Sequence, residues 1–116
     1  MLLLTSTSDK IELVTSGSSI SIDVHASFLD YTGSAIIPSR QNTHISSATT
    51  STIISSPSGS STQRNVKEFH IRNKGVEVVT ITVRHTDGTT TVELRSEDLD
   101  PNDELQYTEG LGFLRL

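Results

Sequence analysis

The feature that most constrains the fold is a strict alternation of apolar and polar residues over segment 79–84, where Val, Ile and Val alternate with Thr, Thr and Arg. Asp87 and Gly88 then supply a turn, and Val92 and Leu94 continue the alternation beyond it. Side chains of a strand point to opposite faces in turn, and Asp-Gly favours the left-handed backbone that a tight turn needs. This stretch therefore predicts a β-hairpin with one buried face and one solvated face.

The same alternation occurs in segments 11–13, 20–26 and 69–71, and further apolar residues follow at 105–107 and 113–116. No internal repeat and no helical stripe of useful length is present. We therefore predict an all-β protein, a single antiparallel β-sandwich over 1–116 with roughly seven to nine short strands, in which jelly-roll and immunoglobulin-like topologies both stay open. The expected core consists of Ile22, Val24, Phe69, Ile71, Val79, Ile81, Val83, Val92, Leu94, Leu105 and Tyr107.

Two other segments carry weaker patterns. Segments 28–31 and 35–37 flank a Thr-Gly dipeptide, which indicates a second hairpin at a sheet edge, and Pro38 is expected to end it because proline cannot donate to a sheet ladder. Segment 46–62 is rich in Ser and Thr, so we expect one or two short strands there and an exposed loop over 55–62. An arm that lies on a neighbouring molecule would have the same composition.

The amino-acid composition favours some classes of function and opposes others. Hydrophobic residues make up 33% and aromatic residues 4% of the 116 residues, with no Trp. A core this thin favours completion by self-association, and we expect a homotrimer. The formal net charge of −5 opposes nucleic-acid binding, which depends on clustered Lys and Arg.

Several kinds of site are not indicated. The chain has no Cys, which excludes disulfides, thiolate nucleophiles and Cys-ligated zinc. The apolar run Met1 to Leu4 ends at Thr5 and is too short for a signal core or a membrane span, so no membrane association is expected. No motif for a cofactor is present, and we expect none.

Catalysis is not indicated either. His25, His70 and His85 fall at polar strand positions and His44 lies in a Thr-rich stretch, with no pair at metal-ligand spacing. The many serines include no Gly-x-Ser-x-Gly nucleophile elbow. We expect a protein that is not an enzyme and holds no metal.

Two ligand classes were weighed from the remaining residues. The acidic run from Asp98 to Glu109 partly matches a calcium loop, but Asp103 stands where the loop needs glycine, Pro101 stiffens it and no helix flanks it, so a polar turn is the better interpretation. Carbohydrate binding normally needs exposed aromatic residues, and only Phe28 and Tyr31 are candidates.

The chain as a whole resembles small virion proteins of tailed bacteriophages. The resemblance is carried by the opening segment 1–6, the strand 22–26, the strand end 71–73, the turn 85–89 and the segment 105–107. It implies a structural component of the virion, a capsid decoration or cement protein that binds the major capsid protein on the capsid surface after synthesis in the host cytoplasm. Neck, tail and fibre modules of phages have the same general sequence character. The alternative is therefore such a module that binds a receptor or glycan.

The expected partner contact lies in the segments with too few apolar residues to form a core of their own, together with the start of the chain. Short hydroxyl side chains allow close backbone approach, and an apolar residue among them would anchor the contact. We expect the contact to involve Leu2, Leu3 and Leu4 at the start of the chain together with Ile53 and Ile54 in the Ser/Thr-rich segment.

Overall fold

The computed structural model describes residues 1 to 116 and consists of ten β-strands without any helix, so it contains no helix able to span a membrane. The strands are β1 (Leu2–Leu4), β2 (Lys10–Ser16), β3 (Ile22–Tyr31), β4 (Ile36–Ile45), β5 (Thr50–Ile54), β6 (Gln63–Asn73), β7 (Val79–Thr86), β8 (Thr91–Leu99), β9 (Glu104–Thr108) and β10 (Gly112–Arg115). Every pairing is antiparallel, which confirms the predicted class, with ten strands instead of seven to nine.

The strands form two sheets that pack as a sandwich. The larger sheet has the order β10-β9-β6-β3-β4, and β1 joins it by pairing with β6 beyond the end of β9. The smaller sheet has the order β5-β2-β7-β8. Only the hairpins β3–β4, β7–β8 and β9–β10 stay within one sheet, and every other connection crosses between the sheets. The result is an elongated body of 46 × 27 × 20 Å.

One apolar cluster of 20 buried residues fills the space between the sheets. Nine of the eleven predicted core residues are buried in it, and Leu94 packs against it while partly exposed. The prediction for Val92 is wrong, because Val92 lies near the start of the edge strand β8 and is 48% exposed. β8 also contains a bulge, since Val83 pairs with Arg95 and Arg84 with Glu93, which leaves Leu94 as an extra residue.

Aromatic residues concentrate at one place in this core. Phe69 stacks on Tyr107 with ring centroids 5.2 Å apart, and Phe113 packs against both at 5.9 and 5.3 Å. Such offset and edge-on pairs add stabilisation beyond their burial. Three of the five aromatic residues therefore tie β6, β9 and β10 together, which offsets part of the shortage that the composition indicates.

The Ser/Thr-rich segment contains a short strand, as expected. This strand is β5, which pairs with β2 along the edge of the smaller sheet. The register shifts between Ile11 and Glu12, so that Ile54 pairs with Ile11 while Thr52 pairs with Glu12. Ile53 is the extra residue of this bulge, and for that reason two consecutive isoleucines both turn inward and are fully buried.

The β3–β4 hairpin is confirmed, and β4 is an edge strand as expected. The expectation that Pro38 ends the strand is wrong, because β4 continues to Ile45 with Pro38 paired to Leu29. An edge strand tolerates proline where the missing N–H would have faced solvent. The predicted Asp87-Gly88 turn is also present, with Gly88 at φ +91°, a backbone region that favours glycine.

Candidate functional site

The solvent-facing side of the larger sheet, here called the outer face, carries two unlike surfaces. Phe28 and Val66 point into the core from β3 and β6, so their chain neighbours Leu29 and Asn65 point outward. The apolar end of the outer face consists of Leu3, Leu29, Tyr31, Ile36 and Pro38. The polar end consists of Asp23, His25, Asn42, His44, His70, Arg72 and Glu104.

Strand register brings the apolar end together from four strands. Leu3 pairs with Asn65, Asn65 with Leu29, and Leu29 with Pro38, so these four residues form one row across the sheet. Tyr31 and Ile36 pair with each other in the next row and are 50% and 64% exposed. Directly paired residues share a face and lie in contact range. The four residues from β3 and β4 are therefore contiguous, unlike apolar side chains scattered singly over a surface, and Leu3 lies beyond the polar Asn65 in the same row.

An ion pair beneath the apolar end holds this part of β3 in place. Arg64 donates to both carboxylate oxygens of Asp30, at 2.8 and 3.0 Å, and to the carbonyl of Ser55 at 2.6 Å. Its guanidinium carbon also lies 4.2 Å from the centre of the Phe28 ring. Bidentate pairs fix geometry as well as contributing energy. The hairpin that presents Tyr31 is thus braced against β6 and against the loop after β5.

The polar end is a shallow depression of about 680 Å³ lined by nine residues, of which only Val24 is hydrophobic. Its side chains are linked to one another. Asp23 contacts His44 at 2.7 Å and Lys74 at 2.9 Å, and these hydrogen bonds, that of Lys74 first, lower the pKa of the Asp23 carboxyl. His70 contacts Glu104 at 2.9 Å. The depression therefore offers imidazole, carboxylate and guanidinium groups that converge on one concave surface.

One trio in this region has the connectivity of a hydrolytic triad. Ser27 Oγ lies 3.5 Å from His25 Nε2, and His25 Nδ1 lies 2.6 Å from Asn42 Oδ1. Acyl transfer also needs backbone N–H groups free to bind an oxyanion. β3 lies between β4 and β6, so its N–H groups are committed to two ladders. On β3, the trio therefore has no free backbone N–H donors to bind an oxyanion.

No group of three or more His, Cys, Asp or Glu side chains is placed to hold a metal ion. The acidic run that resembled a calcium loop has its side chains directed to different partners. Asp103 accepts from Arg115 at 2.8 Å, and this hydrogen bond lowers the pKa of Asp103. Glu109 contacts Lys67 at 3.0 Å, and Glu104 faces the polar end. The run covers the end of β8, the turn at 100–103 and all of β9.

Some of the predicted contact residues are buried in the core and others are exposed. Ile53, Ile54 and Leu4 are fully buried, so the prediction that they offer an exposed anchor is wrong for all three. Leu3 is exposed and belongs to the apolar end, whereas Leu2 faces inward and packs against the core. Of the two aromatic candidates for a surface contact, Phe28 is core and Tyr31 is exposed.

One sequence signal indicates part of the apolar end. Leu29 and Tyr31 stand two residues apart, as do Ile36 and Pro38, on either side of the predicted turn. Spacing of two places each pair on one face of a strand. The contribution of Leu3 had no such signal, because it depends on the pairing of β1 with β6 across more than sixty residues of chain.

Comparison with known proteins gives no relative from which a role could be transferred. No protein-family model, curated protein or solved structure matches the chain.

Proposed function

We propose that this protein is a non-enzymatic structural component of a bacteriophage virion, a capsid decoration protein that binds the lattice of the major capsid protein and stabilises the head. The resemblance in sequence points to this class, and the observation that carries the proposal is the contiguous apolar end of the outer face. A surface of this kind marks a protein contact more often than a site for a polar ligand.

The mode of contact follows from the edge at which the apolar end lies. β4 is an edge strand, and open edges can accept a strand from a partner. Pro38 removes one backbone donor from that edge and thereby disfavours continued pairing. We infer that the partner packs face-on against Leu3, Tyr31 and Ile36 instead of extending the sheet.

The size of the effect can be estimated from exposure. Tyr31 is 50% and Ile36 is 64% exposed, so a partner would bury about half of each side chain or more. Full burial of a large apolar side chain contributes about 1.5–3 kcal/mol, so burial of the exposed parts of the two together contributes about 2–3 kcal/mol per copy. This corresponds to a factor of about 30 to 150 in affinity. Many copies on a lattice, or a homotrimer that engages several subunits, would multiply such modest contacts.

The experiment compares Tyr31→Ser/Ile36→Ser with the matched control Val76→Ser/Val78→Ser, which removes two exposed apolar residues from the turn before β7. Each labelled protein is added to particles lacking it, and bound protein is located by electron microscopy and quantified. We expect wild type and control to decorate the head alike, and the first variant to bind at least about 30-fold more weakly. Equal binding of both variants, or absence of label from the head, would contradict the proposal.

A second candidate is a tail, neck or fibre module that binds a receptor or glycan, and the polar end favours it. Convergent Asn, Asp, His and Arg side chains are suited to a polyhydroxylated ligand, although Tyr31 is displaced from them by several residues along β3. This candidate predicts label at the tail only. It also predicts that His44→Ala/Arg72→Ala weakens binding to host cells while Tyr31→Ser/Ile36→Ser does not.

A further inference from the structure

The basic residues that lack a partner lie on one side of the sandwich, and two of the four carboxylates that lack a partner lie on the other. Seven of the nine Lys and Arg residues have a carboxylate oxygen within 4.0 Å. The two that do not are Arg40 and Arg72. Both are exposed and both lie on the outer face of the larger sheet, on β4 and β6.

The unpaired carboxylates lie elsewhere. Glu77, Asp87, Glu93 and Asp98 have no basic group within 4.0 Å, and all are exposed. Glu77 and Asp87 stand in the turns at the two ends of β7. Glu93 and Asp98 are on β8, opposite Arg84 and Thr80, whose side chains face away from the core. These two carboxylates therefore belong to the outer side of the smaller sheet.

From this segregation we propose that the protein associates with itself head to tail, with Arg40 and Arg72 of one copy facing Glu93 and Asp98 of the next. Charge complementarity selects the second copy as the occupant and excludes a symmetric contact. If either patch met its own counterpart around a twofold axis, like charges would be opposed. A contact between patches on opposite sides of the sandwich stacks each copy on the next, an arrangement that repeats along an open chain.

The spacing of the two charge pairs also matches. Arg72 and Arg40 are separated by two strands and four residues, which strand geometry places at about 17 Å. Glu93 and Asp98 lie opposite residues four apart on β7, which corresponds to about 14 Å. The difference of about 3 Å lies within the reach of an arginine side chain, so both pairs can form at the same time.

The proposal concerns the purified protein alone and does not rest on the proposed virion function. The test uses two charge reversals, Arg40→Glu/Arg72→Glu and Glu93→Arg/Asp98→Arg, both confined to exposed side chains without ionic partners. Sedimentation velocity is measured from micromolar to several hundred micromolar protein at low salt. We expect wild type to sediment faster as concentration rises, and each reversal to weaken association by about tenfold or more.

Mixing distinguishes a defined contact from a general effect of net charge. In an equimolar mixture of the two reversals, every reversed patch finds a complementary patch on the other protein, so association is expected to return. A matched pair of single variants supplies the control, because Glu93→Arg and Glu77→Arg change net charge equally and only Glu93 belongs to the proposed contact. Addition of 0.5 M NaCl should weaken wild-type association, since screening acts on exposed pairs.

Four outcomes would overturn the proposal. They are a wild-type protein that stays monomeric throughout the concentration range, reversals that associate as wild type does, a mixture that stays monomeric, and a Glu77→Arg variant that is impaired as much as Glu93→Arg. Circular dichroism of each variant shows that it is folded, and recovery in the mixture shows the same independently.

Discussion

Two pairs of neighbouring isoleucines, alike in sequence, lie in opposite environments and allow a direct test of the fold. Ile53 and Ile54 on β5 are fully buried, whereas Ile36 and Ile37 on β4 are 64% and 50% exposed. We predict that Ile53→Ala/Ile54→Ala destabilises the protein severely. Its matched control, Ile36→Ala/Ile37→Ala, removes the same atoms and should have little effect.

The magnitude follows from burial. A buried Ile→Ala change costs about 2–5 kcal/mol in lost transfer energy and cavity formation, so the double change costs about 4–8 kcal/mol, allowing for coupling between neighbours. A domain of this size has a stability of about 5–15 kcal/mol, so little or none of the variant would stay folded. The surface pair should change the free energy of unfolding by about 1 kcal/mol or less.

The assay is urea unfolding followed by circular dichroism. With a slope of about 2 kcal/mol per molar urea, a loss of about 4 kcal/mol moves the midpoint by about 2 M. If the buried pair gives no folded protein, the single variants Ile53→Val and Ile54→Val keep the test quantitative, at about 0.5–1.5 kcal/mol each. A buried-pair variant whose midpoint lies within about 0.5 M of the surface-pair variant would refute the bulged register of β5.

Two further predictions concern buried polar groups. The fully buried Asn73 amide donates to two backbone carbonyls, at 2.9 and 3.0 Å, and accepts from the Gly75 N–H, so Asn73→Ala should cost about 2–4 kcal/mol in thermal or urea unfolding, and a loss below about 0.5 kcal/mol would contradict this role. Burial acts to raise the pKa of Asp9, but hydrogen bonds from the Thr5 N–H and the Ser6 hydroxyl outweigh it and leave that pKa lowered. The unfolded chain then takes up the proton first as pH falls, so the stabilisation is present above about pH 4 and is lost below it. The stability difference between wild type and Asp9→Asn should therefore narrow between pH 6 and pH 3, and a constant difference would contradict the assignment.

The sequence predicts the fold best where one strand face is buried and the register is regular. Segments 79–83, 22–26 and 69–71 are strands whose alternate apolar residues enter the core, as expected. In these segments a one-residue slip would expose the whole apolar set, so the pattern alone specifies the face. The same argument explains why the Asp87-Gly88 hairpin is correct in outline.

A bulge accounts for the error at Ile53 and Ile54. An extra residue changes the face of everything beyond it on one strand, and the partner strand decides where the extra residue falls. Three bulges occur, at Ile53, at Lys67 and at Leu94. They lie in the pairings of β5 with β2, β6 with β3 and β8 with β7. Strict alternation would place Ile53 and Ile54 on opposite faces, although both are buried. It would place Val92 and Leu94 on the same face, although Leu94 packs against the core and Val92 is 48% exposed. No property of a single strand supplies this information.

The apolar end of the outer face shows why a surface built from several strands is hard to predict from sequence. Its members come from β1, β3 and β4, and only the pairings with β6 and between β3 and β4 bring them together. Each alone is an ordinary exposed apolar residue of the kind found on most protein surfaces. Because the same sheet keeps its polar end at the opposite end of the same strands, a partner that covers Tyr31 need not cover Arg72. The two contacts proposed above therefore use different residues of the outer face, so substitutions at Tyr31 and Ile36 should test the contact at the apolar end without changing Arg40 or Arg72.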